Sequence, residues 1–145
     1  MKKVFLSILL ALSACDPYAV IPNQDRALDL VWNHIYSAQK YTPPQVEWIV
    51  GDRLVCADGA GFYYSYGDKK DICVGGLYWP SQNLAQIAHY PDNDSFKFSG
   101  SSFSHEHWHA YLDRIGIPSI DHTDPGFATG GIVELANDIL IKDGL

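Results

Sequence analysis

The stretch His105-Glu106-His107-Trp108-His109 decides the fold and the chemistry that this sequence predicts. On an α-helix, His105 and His109 lie four residues apart and therefore share one face. Two imidazoles placed in this way can bind one Zn²⁺, and Glu106 can then act as a base on a water at that metal. His107 points about 200° away from His105 around the helix, so we expect it to miss the metal.

The residues on either side of this motif predict where its helix begins and ends. Ser101, Ser102 and Ser104 are serines of the kind that cap helix N-termini. Gly116, followed by Pro118, is typical of the residues just beyond a helix C-terminus. The motif should therefore lie in the middle of a helix, where the spacing of its histidines has the required geometry.

The apolar residues of the same segment also follow the helical period. Trp108, Leu112 and Ile115 are spaced as one buried helix face requires. A strand would instead place the three alternating histidines on one face, but the caps and the apolar spacing favour the helix. The other alternative is a histidine-rich surface helix without a metal.

A catalytic zinc site requires a third protein ligand, with the fourth position left to water. His122 is our first choice, since imidazole is the commonest ligand for this metal and the turn before it can fold back toward the helix. Asp124 is the second choice. Asp113 lies four residues after His109, where it could orient an imidazole or serve as a ligand.

These residues resemble a known group of enzymes, the zincin metallopeptidases. More narrowly, the sequence is similar to small bacterial lipoproteins and phage-associated proteins that carry a zincin-like HExxH helix and a downstream histidine. The resemblance is carried by His105 to His109, Asp113, Gly116, Pro118, Asp121-His122 and Pro125. It implies that His105, His109 and His122 bind zinc and that Glu106 is the general base.

The chain also differs from the zincin pattern after the motif, and the resemblance implies where a substrate binds. The chain has no glycine and histidine pattern directly after His109, and Glu134 is its only later glutamate, which makes Glu134 a further possible ligand. In zincins, the edge strand of a sheet beside the metal helix holds a peptide substrate by strand addition. The predicted strand 84–90 precedes the helix and is therefore the expected edge strand.

The first residues predict export from the cytoplasm and attachment to a membrane. Two lysines precede a short apolar run, as in a signal peptide, and the run is too short to span a bilayer. It ends in Leu12-Ser13-Ala14-Cys15, which resembles a bacterial lipobox. The resemblance implies cleavage before Cys15 and lipidation of that residue. We expect a signal peptide over 1–14, a tether over 15–23 and a single zincin-like domain over 24–145.

Composition and cysteine content narrow the functional class further. The chain has 145 residues and a formal net charge of −7, and this acidity argues against nucleic-acid binding. If Cys15 carries lipid in the cell envelope, Cys56 and Cys73 remain in an oxidising compartment and can form a disulfide. Asp16 resembles a signal for retention at the inner membrane, but the sequence leaves the choice between inner and outer membrane open.

The remaining pattern predicts an α+β fold, in which a small, mostly antiparallel sheet packs on an N-terminal helix and on the motif helix. Apolar periodicity and turn residues mark the elements. Helices are expected over 24–40 and 132–142, and strands over 46–50, 54–56, 62–66, 73–79 and 84–90, with a polar loop over 92–100.

The predicted function is that of a membrane-anchored, zinc-dependent peptidase on the periplasmic side of a bacterial envelope, with a peptide or protein as substrate. The chain is too short to build a second lobe around a cleft, which argues against a broad endopeptidase. One alternative is a lipoprotein that keeps zinc for stability and binds a partner without turnover. Another is metal delivery or sensing.

Overall fold

The computed structural model describes residues 23–35, 41–56, 61–89 and 100–145. Within these ranges the chain forms three α-helices and five β-strands, so the predicted α+β class is confirmed. The helices are α1 (Gln24–Ile35), α2 (Gly100–Arg114) and α3 (Ile132–Lys142). The strands are β1 (Gln45–Ile49), β2 (Phe62–Tyr66), β3 (Lys69–Val74), β4 (Gly76–Trp79) and β5 (Leu84–Ala88).

The strands form two separate sheets in the described part of the chain. The larger one has the order β1-β5-β4, with β1 parallel and β4 antiparallel to β5. The smaller one is the antiparallel hairpin of β2 and β3. The larger sheet is therefore mixed, and the prediction of a mostly antiparallel sheet has to be corrected. The parallel pair arises because β2, β3 and β4 all intervene between β1 and β5 in the chain.

The two faces of the larger sheet bury different partners, because successive residues of a strand point to opposite sides. Trp48 and Ile87 belong to the main core, which contains the buried residues of all three helices. Ile49 and Ala88 point to the other face, where they pack with Phe62 of the hairpin. The sheet thus separates a helical layer from the hairpin.

The helix α2 lies against this sheet. Of the residues expected to be buried, Leu112 is 1% exposed, as predicted, but the residues that pack on the sheet are different ones. Phe103 stacks on Trp48 of β1, with ring centroids 6.0 Å apart. His107 and Ala110 are fully buried on the same helix face. Ile115, which the sequence predicted to be buried, is 39% exposed, because the inward face is centred on Phe103, His107 and Ala110.

The predicted end of α2 is confirmed in detail. Gly116 adopts a left-handed backbone conformation with φ of 75°. Its N–H donates to the carbonyl of Asp113, and the N–H of Ile117 donates to the carbonyl of Leu112 at 2.9 Å. These two bonds form a Schellman motif, which favours glycine because it has no Cβ to clash in this conformation.

The strand predictions need three further corrections. The expected strand 73–79 is split at Gly75, so that β3 and β4 belong to different sheets. The expected strand 84–90 corresponds to β5, which lies between β1 and β4 and is therefore not an edge strand. Among the described strands, β4 lies next to α2 and pairs with β5 on one edge, while its other edge is open. In the segment 54–56, Cys56 makes only an isolated bridge to Gly61.

The disulfide between Cys56 and Cys73 is confirmed, and it joins the hairpin to the segment before it. Among the described helices, none has the length and apolar character needed to cross a membrane. The signal peptide, the lipidation of Cys15 and the tether up to residue 22 lie outside the described residues, as do residues 36–40 of the first predicted helix. These features remain predictions.

Candidate metal centre

Three histidine side chains converge at one end of the helical layer. The Nε2 atom of His105 lies 2.9 Å from that of His122 and 3.1 Å from that of His109. The Nε2 atoms of His109 and His122 are also 3.1 Å apart. His105 and His109 come from one face of α2, and His122 comes from the loop after it. Within the described part of the chain, these three residues form the group that could hold a metal ion.

The chemistry of these three nitrogen atoms fits a shared cation. The Nε2 atom of a neutral imidazole is either a donor or an acceptor, so among three such atoms at least two have the same role. At least one close pair is therefore repulsive without a cation. A tetrahedral zinc with bonds of 2.0–2.1 Å separates its nitrogen ligands by about 3.3 Å, so small outward movements of the rings would accommodate it.

Burial keeps the imidazoles of His105 and His109 neutral, which is the form that binds metals. Desolvation, together with the nearby His122, lowers the pKa of His105 to about 4. Desolvation and the two neighbouring imidazoles lower the pKa of His109 to about 3. At neutral pH protons therefore do not compete for the nitrogen lone pairs of these two residues.

A strained backbone presents His122 to the helix. His122 has φ of 55°, in the left-handed region that residues other than glycine seldom adopt. Asp121 supports this turn, since its carboxylate accepts hydrogen bonds from the backbone N–H and the hydroxyl of Thr123. Strain of this kind, maintained by surrounding bonds, is commonly found at functional sites.

The loop that carries His122 is also bonded to α2 through Trp108. The indole N–H of Trp108 donates to the carboxylate of Asp124 at 2.9 Å, and the same oxygen accepts from the N–H of Gly126 at 2.7 Å. Gly126 lies so close to the Trp108 ring that a Cβ at this position would come within 2.2 Å of the indole nitrogen. A glycine is therefore required for the loop to cross Trp108.

Ser119 connects two of the three histidines. Its hydroxyl oxygen lies 2.9 Å from Nδ1 of His109, and its carbonyl accepts the backbone N–H of His122 at 3.2 Å. An Nδ1–H that donates to this hydroxyl leaves the Nε2 lone pair of His109 directed at the cluster. A hydrogen bond to the second ring nitrogen commonly fixes the tautomer and orientation of metal-binding histidines.

The three acidic residues considered as alternative ligands have other partners. Asp113 accepts a hydrogen bond from the hydroxyl of Tyr78 at 3.3 Å, and Asp124 holds the loop as described above. Glu134 accepts the backbone N–H of Gly130 at the start of α3. None of the three joins the cluster of ligand atoms in the described residues.

Glu106 is 5% exposed and lies against β4. Its carboxylate accepts a hydrogen bond from the backbone N–H of Tyr78. Desolvation raises the pKa of Glu106 to about 8, and the bond from Tyr78 opposes part of this rise. Gly76 makes the close packing possible, because a Cβ there would lie 2.6 Å from Oε1 of Glu106.

Glu106 and the three histidines line one cavity of about 930 Å³. All four residues of β4 line it as well, although their side chains alternate between the two faces of the sheet. The cavity therefore runs along the open edge of β4. Apolar residues complete its walls, including Ile72 and Val74 of the hairpin and the 72% exposed Ile120 beside His122.

The sequence identified four candidate residues, and the structure brings all four to one cavity: His105, Glu106, His109 and His122. The prediction that His107 misses the cluster is confirmed, since its Nδ1 lies 2.7 Å from the carbonyl of Phe103 inside the core. Ser119 and Gly76 were missed. The pair Gly75-Gly76 within an apolar strand was the available signal, since such glycines often mark a close approach.

Comparison of the chain with protein-family models, curated proteins and solved structures gave no match.

Proposed function

We propose that this protein is a zinc-dependent peptidase of a zincin-like kind, in which Glu106 is the general base and His105, His109 and His122 bind the metal. The observation that carries the proposal is the convergence of three imidazole Nε2 atoms, 2.9 to 3.1 Å apart, on the cavity that Glu106 also lines. Three protein ligands leave one coordination position for water or substrate, as in catalytic zinc sites.

The chemistry requires a base beside the reacting atoms. A bound divalent cation would polarise the scissile carbonyl, acidify the attacking water and favour the carboxylate form of Glu106. One carboxylate oxygen of Glu106 would then accept a proton from the attacking water and later deliver it to the leaving amine. The backbone N–H of Tyr78 holds the carboxylate in place during these transfers.

The open edge of β4 supports a peptide as the substrate. Glu106 is bonded to Tyr78 of this edge, so a peptide that added to β4 as a further strand would pass beside the base. The cavity is of the size that small ligands and short peptide segments occupy. Its apolar walls favour substrates with apolar side chains near the cleaved bond.

The location of the protein is proposed from the sequence alone. A signal peptide followed by a lipidated Cys15 would attach the domain to a membrane on the periplasmic side of a bacterial envelope. Cys15→Ser should then move the protein from the membrane fraction to the soluble fraction. A variant that stays in the membrane fraction would contradict the lipid anchor and leave the metal site unaffected.

The catalytic proposal is tested by combining metal analysis with peptide cleavage. Glu106→Gln should retain one zinc per chain and lose hydrolysis of a quenched-fluorescence peptide pool. Alanine at 105, 109 or 122 should lose the zinc, whereas His34→Ala, which changes a histidine of α1 outside the cluster, should keep it.

The outcomes separate the peptidase from the non-catalytic binding module. Full hydrolysis by Glu106→Gln would rule out this residue as the base. Unchanged zinc content in the three alanine variants would refute the metal site. Zinc that a chelator removes with loss of melting temperature, but without cleavage of any peptide by the loaded wild type, would favour the non-catalytic binding module.

A further inference from the structure

Phe127 lies against all three histidines of the candidate metal centre. Its ring centroid is 4.7 Å from those of His105 and His109 and 4.8 Å from that of His122. The three imidazole centroids are themselves 4.8 to 4.9 Å apart. Phe127 is equally far from three imidazoles that are equally far from one another, so its centroid lies on the axis through the centre of the three. Phe127 therefore covers one of the two faces of the cluster.

The cavity meets the histidines on a side that Phe127 does not line. The three histidines and Glu106 line it, whereas Phe127 does not. The aromatic ring and the carboxylate are therefore on different sides of the imidazoles. A cation held by the three Nε2 atoms has only two directions in which a further ligand can approach along this axis, and one of these directions is occupied by carbon atoms.

Local structure holds Phe127 in this position independently of the histidines. It ends the short 3₁₀ turn Pro125–Phe127, and its backbone N–H donates to the carbonyl of Asp124 at 3.1 Å. Asp124 is itself bonded to Trp108 of α2. The ring is thus positioned by the helix and the loop and does not depend on contacts with a ligand.

We propose that Phe127 is a positioning residue that closes one face of the histidine cluster, so that a bound cation keeps a single open coordination position directed at the cavity of Glu106. This inference rests on the proposed metal site, and it explains why hydrolysis would take place on the face of the histidine cluster that meets the cavity. Without the ring, a second water could reach the cation and raise its coordination number, since zinc sites of this type can expand to five ligands.

The test uses Co²⁺ as a spectroscopic probe in the full chain, purified in detergent. Four-coordinate Co²⁺ absorbs visible light strongly, and the bands weaken when further ligands bind. The wild type should show the intense spectrum at full occupancy, and Phe127→Ala should lose most of this intensity. Its affinity for Co²⁺, measured by chelator competition, should fall by about 10-fold, as is typical when a group around the ligands is removed.

Ser119→Ala is the matched control, because it removes the hydrogen bond to Nδ1 of His109 while Phe127 and the bonds that hold its loop remain. It should lower the affinity and retain the intense spectrum. If Phe127→Ala does not fold, Phe127→Leu replaces it, and a smaller loss of intensity is expected.

Unchanged intensity in the folded Phe127 variant at full occupancy would overturn the proposal, as would equal losses in Phe127→Ala and Ser119→Ala. A folded Phe127→Ala protein that binds no Co²⁺ would also overturn it, because the ring would then hold the ligands and not close a face. A wild type that binds neither Co²⁺ nor Zn²⁺ would refute the metal site itself, which is a different result from any of these.

Discussion

Replacement of Gly76 by alanine should reduce hydrolysis strongly while leaving the metal site intact. An added Cβ at this position would lie 2.6 Å from Oε1, 2.8 Å from Cγ and 3.0 Å from Cδ of Glu106. Carbon atoms pack at about 3.5–4.0 Å, so the carboxylate has to retreat by nearly 1 Å. Because Glu106 lines the cavity, the displaced carboxylate would move away from β4 and from the N–H of Tyr78 that positions it.

The structure sets the size of the expected effect. A displacement of about 1 Å of a reacting group can lower a rate by about 10²-fold, which corresponds to about 2.7 kcal/mol in the barrier. We therefore expect Gly76→Ala to cleave the quenched-fluorescence peptide pool about 10²-fold more slowly than the wild type. Its zinc content, measured by elemental analysis, should remain at the wild-type value because the three atoms nearest to the new methyl group all belong to Glu106.

Gly75→Ala is the matched control. A Cβ at Gly75 would meet only the hydroxyl oxygen of Ser102, at 3.0 Å, and a small rotation of that hydroxyl can relieve the contact. This variant should keep both zinc and most of the activity. Wild-type hydrolysis by Gly76→Ala, or a loss of zinc from it, would refute the reasoning that this glycine exists to admit the carboxylate of Glu106.

Three further predictions concern stability and metal affinity. Burial raises the pKa of Glu106 to about 8 in the folded protein, whereas the same carboxyl titrates near 4.5 in the unfolded chain. Between these pH values the folded state keeps a proton that the unfolded state releases, so the metal-free wild type should lose stability as the pH rises from 4.5 to 8. Urea unfolding should therefore show metal-free Glu106→Gln to be more stable than the wild type by about 3 kcal/mol at pH 7 and equally stable near pH 4.5, and a pH-independent difference would contradict this. Ser119→Ala should weaken zinc binding about 10- to 100-fold in chelator competition, because His109 loses the hydrogen bond to Nδ1, and Ser119→Thr should restore most of it. Replacement of both Cys56 and Cys73 by serine should cost about 3 kcal/mol of unfolding free energy, given the 17-residue separation, and an unchanged urea midpoint would be the contrary result.

The correction of the edge strand shows where sequence reasoning reached its limit. The apolar run 84–90 precedes the metal helix in the chain and therefore looked like the neighbouring edge of the sheet. In the structure β5 is central because it pairs with β1 on one side and with β4 on the other. Strand order depends on pairing between distant segments, and the apolar pattern of one segment contains no information about its partners.

The buried face of α2 also differs from the face that the sequence predicted. Apolar spacing predicted a buried face of Trp108, Leu112 and Ile115. Leu112 is buried, but the face that lies in the core contains His107 between Phe103 and Ala110. A histidine can occupy such a core position because burial lowers its pKa to about 4 and keeps it neutral, while Nδ1 lies within 2.7 Å of a carbonyl oxygen. Hydrophobic periodicity cannot anticipate a neutral histidine that has its partner one turn earlier.

The sequence by itself determined the features that depend on local geometry. Helical periodicity places His105 and His109 on one face, Gly116 ends that helix, and the pairing of Cys56 with Cys73 followed from counting cysteines. Only the tertiary structure decided that His122 reaches the same point, that Glu106 lies against the open edge of β4, and that Phe127 covers the opposite face. The physical reason is range: a helix repeats the same backbone geometry at each residue, whereas these contacts require the loop and the sheet to pack against the helix in one particular arrangement.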